Sequence, residues 1–420
     1  MPPIPSTRRG LVLAAAALGT TGAGAPGYPP PSPIDSGNVE GGRIRFPDWR
    51  APADPPSGAL PQPLPPGERV GFAVIGLGRI ALEEVLPAFA QCKTARPVAL
   101  VSGSPEKARL VAAQYGIRPE AVHGYAEMER LRDDPAVQAV YIALPNGMHR
   151  EYTERAAAIG KHVLCEKPMA TSAEDARAMV AACAKAQRWL MIAYRSQYEP
   201  TNRAVIALVR SGELGKLRFI EATNTQANGP GPQWRYSRQL AGGGALPDIG
   251  LYCLNAARYV TGEEPVELTA TTLSPEGDER YREVEESVAF QLRFPSGVLA
   301  RCLSSYGAYQ DRMLRLQFER GAVTMPHAFD YQGQRLVVQR RVGDVPGEEE
   351  RIIRPRNQFA QEIDHFAGCV RENRRPHTPG EEGLQDQVLM EAIYRAAAEQ
   401  RPQHLRPPAE ATRGPEPQQG

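Results

Sequence analysis

The stretch VGFAVIGLGRIALEEV, residues 70–85, joins a short apolar run to a segment in which apolar residues recur at helical spacing. The apolar run predicts a parallel strand buried on both faces, because such strands are apolar almost without interruption. Between the two segments, GLGRIA places Gly76, Gly78 and Ala81 at the spacing of the dinucleotide fingerprint. Gly76 permits a tight turn, Gly78 lets the backbone approach a pyrophosphate, and Ala81 allows close helix packing. We therefore predict a dinucleotide cofactor at this loop.

Strand and helix patterns alternate from this point to Tyr194, through PVALVSG, PEKARLVAAQYG, AVQAVYIALP, HREYTERAAAIG, HVLCEKP, AEDARAMVAACAKA and WLMIAY. The alternation predicts an α/β fold whose N-terminal domain, residues 69–194, is a doubly wound (Rossmann) parallel sheet. Residues 195–400 contain segments that alternate apolar and polar residues, such as ESVAFQLRF and MLRLQFER. These predict a C-terminal α+β domain with a large, mostly antiparallel open sheet. Its late helices are expected to pack on the first domain, and residues 401–420 to form a flexible tail.

The start of the chain has the layout of a signal peptide. Residues 1–25 combine a basic pair, Arg8 and Arg9, with an apolar run and small residues before Pro26. The pattern favours a twin-arginine signal, which exports folded cargo, over a disordered basic tail. Residues 26–68 are dense in proline and predict an extended arm, either a plain linker or an arm that lies across a neighbouring subunit.

Composition restricts the ligand class. The chain has 420 residues, with 49 basic and 48 acidic side chains, which gives no electrostatic case for nucleic acid or acidic membranes as partners. The six cysteines are scattered, with no CxxC pair and no Cys/His cluster at zinc spacing, and we predict no metal site. They are interpreted mainly as buried thiols, although an oxidising compartment permits a disulfide. The expected ligand is a small molecule.

The end of the second strand bears on the choice between NAD and NADP. An Asp or Glu is expected there, about 20 residues after the glycines, when the ribose 2′-hydroxyl is bound. Here the sequence is LVSGSPEKAR, where Ser102, Ser104 and Lys107 supply hydroxyl groups and a cation that suit a 2′-phosphate. This pattern predicts NADP, with helix capping as the alternative role for Ser104.

Two further motifs carry groups for chemistry. CEKPMA places Glu166 and Lys167 at the carboxyl end of a predicted strand, where open α/β sheets bind ligands; alternatively, the pair holds the two domains together. DIGLY places Asp248 and Tyr252 four residues apart, on one face of a helical turn. The alternative for Tyr252 is a buried aromatic without a catalytic role.

GLGRIA, YIALPNGMH, GKHVLCEKPMA, YRSQYEP and WRYSRQLAGGGALPDIGLYCLN occur in this order between Arg69 and Arg401. The set resembles the Gfo/Idh/MocA oxidoreductase family, and within it the periplasmic glucose-fructose oxidoreductase branch. The resemblance implies that Lys167 is the catalytic lysine, that Asp248 orients the sugar or balances the lysine, and that Tyr252 exchanges a proton with the sugar hydroxyl. Much of the wider family has a histidine at the position of Tyr252.

The resemblance and the motifs together imply two sets of contacts. His149 belongs to the cofactor set below, and its alternative role is that of a helix cap or an exposed surface residue. The cofactor set is Gly76, Gly78, Arg79, Ile80, Ser102, Lys107, Tyr125, Leu144, Asn146, His149, Glu166, Lys167, Arg195, Trp234 and Arg235. The substrate set is Lys167, Asp248, Tyr252 and Tyr306.

The implied reaction removes a hydride from the anomeric carbon of an aldose, whose hydroxyl must then lose a proton to a nearby base. Free tyrosine titrates at about 10, so a cation such as Lys167 is expected to favour the phenolate. The resemblance implies a ping-pong enzyme that forms a lactone and passes the hydride to a second sugar, a ketose or an aldose. Export of the folded protein would carry tightly bound NADP to the periplasm, and the second domain's sheet would build a homo-oligomer. The alternatives are an NADP-dependent sugar dehydrogenase with exchangeable cofactor and a non-catalytic sugar-binding protein.

Overall fold

The computed structural model describes residues 37–46, 51–53, 62–231 and 233–417. The predicted signal peptide, residues 1–25, lies outside this part, as does much of the Pro-rich arm. Within the arm, β1 (Asn38–Glu40) and β2 (Arg43–Arg45) form an antiparallel hairpin around Gly41 and Gly42, both at positive φ. The expectation of an extended arm is therefore wrong for this stretch, because two successive glycines supply the turn that a two-residue hairpin requires.

The first large sheet is the predicted doubly wound sheet. Its six strands are all parallel and lie in the order β5-β4-β3-β6-β7-β8. Every residue of β3 (Val70–Ile75) is buried, as predicted from the apolar run VGFAVI. The strands are β3 Val70–Ile75, β4 Ala95–Val101, β5 Val122–His123, β6 Ala139–Ile142, β7 His162–Glu166 and β8 Leu190–Ala193.

Four α-helices connect these strands: α1 Leu86–Ala88, α2 Pro105–Tyr115, α3 His149–Ala158 and α4 Ala173–Lys185. The helix after the glycine loop is less regular than its pattern predicted. It opens with a π-helical turn, Ala81–Val85, and continues as α1 and a 3-10 turn, Phe89–Gln91. Pro87 lacks an N–H, so regular α-helical hydrogen bonding cannot run through this segment.

The second sheet has nine described strands in the order β16-β15-β14-β13-β9-β12-β11-β10-β17. All neighbouring pairs are antiparallel except β9 with β12, which confirms the mostly antiparallel sheet. The strand β16, VPGEEER, was missed, because an exposed edge strand with Pro and Gly shows no apolar alternation. The strands are β9 Leu217–Thr225, β10 Glu267–Leu273, β11 Ser287–Arg293, β12 Leu299–Ser305, β13 Asp311–Phe318, β14 Gly321–Met325, β15 Leu336–Val342, β16 Val345–Arg351 and β17 Gln403–His404.

Five helices accompany this sheet: α5 Pro200–Ser211, α6 Arg238–Ala241, α7 Leu251–Thr261, α8 Gln358–Glu372 and α9 Gly380–Glu399. The helix α7 packs on β9 and β12, and α9 packs on β10 and on α4. The helix α8 lies against β3, β4 and β7 of the first sheet. The chain after the second sheet thus returns to the Rossmann domain, where α8 covers part of its sheet.

The segment after residue 400 was expected to be flexible, but through residue 417 it packs on the domain. The strand β17 pairs with β10, Thr412 donates to the buried carboxylate of Glu382 at 2.8 Å, and Glu416 pairs with Arg203 at 2.5 Å. Polar composition suggested disorder, but these polar groups satisfy buried charges of helices that are distant in sequence. The expectation is therefore wrong for residues 401–417.

All six cysteines are free and buried, as predicted: Cys92, Cys165, Cys183, Cys253, Cys302 and Cys369. Within the described ranges, no helix has both the length and the apolar character needed to cross a bilayer. Across the same ranges, no three His, Cys, Asp or Glu side chains are grouped so that they could hold a metal ion.

We expect the protein to lose stability as the pH falls below about 6.5, in part because of His365. Burial, with the nearby charges of Arg374, His377 and Arg203, lowers the pKa of His365 to about 3. Its Nε2 atom accepts a hydrogen bond from the backbone N–H of His377 at 3.0 Å, which a protonated ring would lose. Between these two pH values the unfolded chain binds a proton that the folded protein does not. The free energy of unfolding therefore decreases as the pH decreases, by at most about 1.4 kcal/mol per pH unit.

His365→Gln retains a side-chain acceptor without a titrating ring. Urea unfolding between about pH 5 and 7 should show a shallower pH dependence in this variant than in the wild type. The matched control is His404→Gln, since His404 is 80% exposed. Identical slopes for wild type and His365→Gln would refute the assignment.

Candidate active site

The glycine loop has the geometry that a dinucleotide requires. Gly76 has a φ of +93°, and a Cβ at this position would lie 2.5 Å from the carbonyl oxygen of Ala143, so only glycine fits. A Cβ on Gly78 would meet no atom within 4 Å, so open space lies beside the backbone there, just before the helical turn Ala81–Val85. Backbone N–H groups and the positive end of a helix dipole suit a pyrophosphate. The loop therefore fits the predicted cofactor.

Residues predicted to surround the cofactor ribose gather beside this loop. The Lys107 Nζ atom donates to the carbonyl oxygen of Leu77 at 2.9 Å, which fixes its cation on the glycine loop. Ser102 is buried, and its Oγ atom accepts from the backbone N–H of Ser104 at 3.2 Å. The Tyr125 ring lies over Gly103. Ser104 makes no side-chain capping bond to α2, so its alternative role is not observed.

The remaining residues of this loop differ in accessibility. The Arg79 side chain is 86% exposed and its Nε atom lies 3.5 Å from the Glu83 carboxylate, and Ile80 is half-buried. Both flank the space beside Gly78, where Arg79 is free to turn toward an anion.

The far wall of the cofactor cleft comes from the loop after β6. The Asn146 Nδ2 atom donates to the carbonyl oxygen of Ala241 at 2.9 Å, which ties this loop to the second domain. His149 is fully buried, with Nδ1 2.9 Å from the carbonyl oxygen of Pro168 and Nε2 2.8 Å from that of Leu144. Burial lowers the pKa of His149. Neither ring nitrogen faces open space, so His149 holds two loops together, which differs from the predicted cofactor contact and from its surface alternative.

Lys167 and Asp248 meet where the two domains face each other. The Lys167 Nζ atom donates to the backbone oxygen of Asp248 at 2.7 Å and lies 3.4 Å from its Oδ1 atom. It also lies 4.6 Å from the centre of the Tyr252 ring. An ammonium group has three N–H donors, and two are directed to Asp248, which leaves one for a ligand. The structure thus brings together the three residues assigned to catalysis.

Asp248 is held as a carboxylate. Its Oδ2 atom accepts from the Arg235 Nε atom at 2.9 Å and from the Tyr306 hydroxyl at 2.8 Å. Burial alone would raise the pKa of Asp248, but the charges of Arg235 and Lys167 and the hydrogen bonds from Tyr306 and Arg235 hold it well below its usual value. Such a carboxylate is a poor proton acceptor near neutral pH and a good anchor for cations and hydroxyl groups.

Arg235, predicted to contact the cofactor, is engaged with the substrate-side carboxylate in this structure. Its guanidinium carbon lies 4.6 Å from the centre of the Trp234 ring, which is half-buried. The pair comes from the 3-10 turn Trp234–Tyr236. This turn forms the edge of the site on the side of the second domain.

The cation bonded to the Tyr252 hydroxyl is Arg195, which the sequence placed at the cofactor. The Arg195 Nε atom donates to the Tyr252 hydroxyl oxygen at 3.1 Å. Its other donors go to the Gln358 side chain at 2.6 Å and to the backbone oxygens of Phe329 at 2.7 Å and Asp330 at 3.2 Å. Arg195 is 4% exposed, so its guanidinium lies beneath the tyrosine and not at the surface of the cleft. The cation that donates to the phenol oxygen is therefore a buried arginine, whereas Lys167 lies over the face of the ring.

Sequence reasoning missed Tyr331 and Gln358. The Tyr331 ring lies 4.4 Å from the guanidinium carbon of Arg195, and the residue is 41% exposed. Gln358 accepts from Arg195 and donates to the backbone oxygen of Tyr331 at 2.7 Å. The segment FDYQG carries no motif, and only the long-range packing of α8 reveals either residue.

Comparison with known proteins agrees with this geometry. Residues 70–194 match an oxidoreductase family with an NAD-binding Rossmann fold, and residues 202–324 match the GFO/IDH/MocA C-terminal domain. The chain belongs to the Gfo/Idh/MocA oxidoreductase family. The resemblance drawn from the motifs is therefore confirmed at the level of the family, including its nicotinamide-binding fold.

Two members of the Gfo/Idh/MocA family are informative. The crystal structure of an aldose-aldose oxidoreductase from Caulobacter crescentus, complexed with glycerol, is 45% identical, with a TM-score of 0.77, and the match covers 80% of this chain and 100% of that one. D-xylose 1-dehydrogenase (NADP(+)) from Haloarcula marismortui is 34% identical over 334 residues, which cover 78% of this chain and 91% of that protein. Sugar oxidoreduction is thus the activity named for both.

Proposed function

We propose that this protein oxidises an aldose to its lactone and passes the hydride to a second sugar, with NADP bound throughout a ping-pong cycle. The supporting observation is the convergence of Lys167, Asp248, Tyr252 and Arg195 in a chain whose glycine loop leaves open space beside Gly78. Similarity to an aldose-aldose oxidoreductase favours an aldose as the second sugar, with a ketose such as fructose as the other candidate.

The nicotinamide, when bound, supplies the hydride acceptor, and later the donor, and the protein supplies the proton chemistry. Tyr252 takes the proton from the sugar hydroxyl, because a cation donating to a phenol oxygen stabilises the negative charge that makes this oxygen a base. Lys167 directs its third N–H to the same sugar oxygen. Asp248 fixes the lysine and offers an oxygen to a neighbouring hydroxyl. In the reverse half-reaction Tyr252 returns the proton to the second sugar.

Two further properties complete the proposal. The enzyme is exported folded by the twin-arginine route and works in the periplasm with NADP that it carried from the cytoplasm. It is a homo-oligomer formed through the second sheet, whose open face exposes large apolar side chains on three strands: Phe219, Leu273 and Leu303. Light scattering of Phe219→Glu should report a smaller assembly than the wild type, and an unchanged mass would refute this interface.

The test of the central proposal uses mature protein from the exported fraction, desalted and supplied with no NADP. Addition of glucose should raise the absorbance of the reduced nicotinamide, and addition of a second sugar, such as xylose or fructose, should lower it again. No change in absorbance, followed by activity only when NADP is added, would refute retention of the cofactor.

An NADP-dependent dehydrogenase with exchangeable cofactor is the second candidate, favoured by the similarity to D-xylose 1-dehydrogenase (NADP(+)). The two candidates share every residue of the site and differ only in how fast the cofactor leaves. Consumption of added NADP in proportion to a single sugar would support this candidate.

We expect Lys107→Ala to weaken NADP binding selectively. Loss of a charged hydrogen bond to the 2′-phosphate should lower the affinity of cofactor-stripped protein for NADPH by about 10-fold or more. Affinity for NADH, which lacks this phosphate, should change little, and fluorescence titration measures both. The control is Arg109→Ala, an exposed cation on the same helix. An equal loss for NADPH and NADH would contradict the predicted phosphate contact.

A further inference from the structure

The helix α8 places two polar side chains one turn apart behind the candidate site. Gln358 bonds Arg195, as described above. Glu362, four residues later on the same face, is completely buried. Its Oε1 atom lies 3.4 Å from the Tyr141 hydroxyl, and its Oε2 atom has no hydrogen-bond partner among the described residues. A carboxyl group in such a position needs a physical explanation.

Tyr141 stands between two carboxyl groups. It is fully buried on β6, and its hydroxyl lies 2.7 Å from the Oε1 atom of Glu166, closer than to Glu362. The Glu166 Oε2 atom in turn accepts from the backbone N–H of Lys167 at 3.2 Å. A phenol has one proton, and the shorter distance directs it to Glu166. Glu362 therefore faces the phenol oxygen and receives no proton from it. It can form a hydrogen bond with this oxygen only if the Glu362 carboxyl group is itself protonated and donates.

The surrounding charges favour a neutral Glu362. The charged or titratable groups around it are Glu166, Arg195, Tyr141 and Tyr198. Burial, followed by the Glu166 charge, raises the pKa of Glu362 well above its usual value, and Arg195 and the Tyr141 hydrogen bond oppose this only in part. Two ionised carboxylates on either side of one buried phenol would repel each other. Burial raises the pKa of Glu166 as well, but Glu166 accepts hydrogen bonds from the Tyr141 hydroxyl and the Lys167 N–H. Glu362 has no such donor at its Oε2 atom among the described residues, so Glu362 is the better placed to hold a proton.

We propose that Glu362 is a positioning residue that stays protonated and donates through the Tyr141 hydroxyl to Glu166. The chain runs from the Glu362 acid to the Tyr141 oxygen, and from the Tyr141 O–H to the Glu166 carboxylate. The Glu166 carboxylate then remains fixed on the Lys167 backbone, which orients the lysine toward Asp248. Glu362 contacts neither cofactor nor sugar, and acts on Lys167 only through these two residues.

Two substitutions distinguish a proton donor from a charge or from mere packing. Glu362→Gln keeps a neutral donor of the same shape, so we expect kcat within about 3-fold of the wild type. Glu362→Met fills the space but donates nothing, and we expect kcat to fall by about 10-fold to 100-fold while KM for the sugar changes little. A Gln variant as impaired as Met would overturn the proposal, since it would mean that the carboxylate is the active form. A Met variant with wild-type kcat would also overturn it.

Tyr141→Phe provides a second route if Glu362→Met does not fold. It removes the middle of the chain and should lower kcat to a similar degree, and wild-type kcat in this variant would overturn the proposal. The control is Glu372→Gln on the exposed end of α8, expected to leave kcat unchanged.

Infrared difference spectroscopy supplies a readout that does not depend on turnover. Wild type minus Glu362→Gln should contain the C=O stretch of a protonated carboxylic acid, shifted to lower frequency in D₂O. Wild type minus Glu372→Gln should lack this band. The kinetic experiments rest on the proposed function, whereas the infrared experiment does not. If neither the wild type nor any variant turns over a sugar, the proposed function fails. The infrared band still shows whether Glu362 is protonated. Absence of the band would overturn the proposal.

Discussion

Lys167→Met should lower kcat by about 10³-fold, the loss expected when a preorganised cation is removed from a site where negative charge develops. Asp248 fixes the ammonium group, and under the proposed function the remaining N–H donates to the sugar oxygen. Methionine has a similar length and no donor. The fold should survive, because the Asp248 carboxylate keeps its bonds from Arg235 and Tyr306. Steady-state kinetics with a glucose and second-sugar pair measures kcat, and thermal unfolding measures the fold.

The control for this substitution is Lys185→Met, since Lys185 is exposed in the last turn of α4. We expect it to retain wild-type kcat. If Lys167→Met kept kcat within about 3-fold of the wild type, the lysine would not be catalytic, and another group would have to bind the sugar oxygen. A non-catalytic sugar-binding protein would become the better hypothesis only if the wild type itself showed no turnover.

Tyr252→Phe should lower kcat by about 10²-fold to 10⁴-fold, the contribution typical of a positioned general base. The phenyl ring keeps the packing against Phe329, at 5.9 Å between ring centres, and loses only the hydroxyl. Arg195 loses one acceptor and keeps Gln358 and the backbone oxygen of Phe329, so we expect a modest decrease in the unfolding temperature. The pH profile of kcat/KM should also lose the limb that belongs to the base.

Tyr259→Phe on the same helix is the matched control for Tyr252→Phe. Its hydroxyl donates to the Asn202 side chain at 2.7 Å in the buried interior and makes no hydrogen bond to Lys167 or Arg195. It should lower stability through the lost hydrogen bond and leave kcat and the pH profile as in the wild type. A Tyr252→Phe enzyme with unchanged kcat would assign the proton to another group, and Tyr331, 41% exposed beside Arg195, would be the next to test.

Many of the strands, loops and site residues could be predicted from local sequence patterns. The buried strand VGFAVI, the glycine loop and the placement of Lys167 after β7 are set by residues adjacent in sequence, so each could be predicted from its own segment. The same holds for Asp248 and Tyr252, which one helical turn brings to the same side. Both sheets were predicted correctly in type because their alternation is read along each strand. Edge strand β16 was missed because solvent on both sides removes that alternation.

The partners of these residues were decided only by the tertiary structure. Arg195 lies under Tyr252 because the turn Arg195–Gln197, which follows β8, bonds to side chains of α7. Glu362 reaches Tyr141 from 221 residues away because α8 returns to the first sheet. His149 and the packed segment 401–417 were misjudged for the same reason. The role of each of these groups depends on which buried polar atom nearby needs a hydrogen-bond partner. That need arises only when distant segments pack together, so it cannot be inferred from one segment. Local segments thus supply the reactive groups, and the packing of distant segments selects the groups that hold them in place.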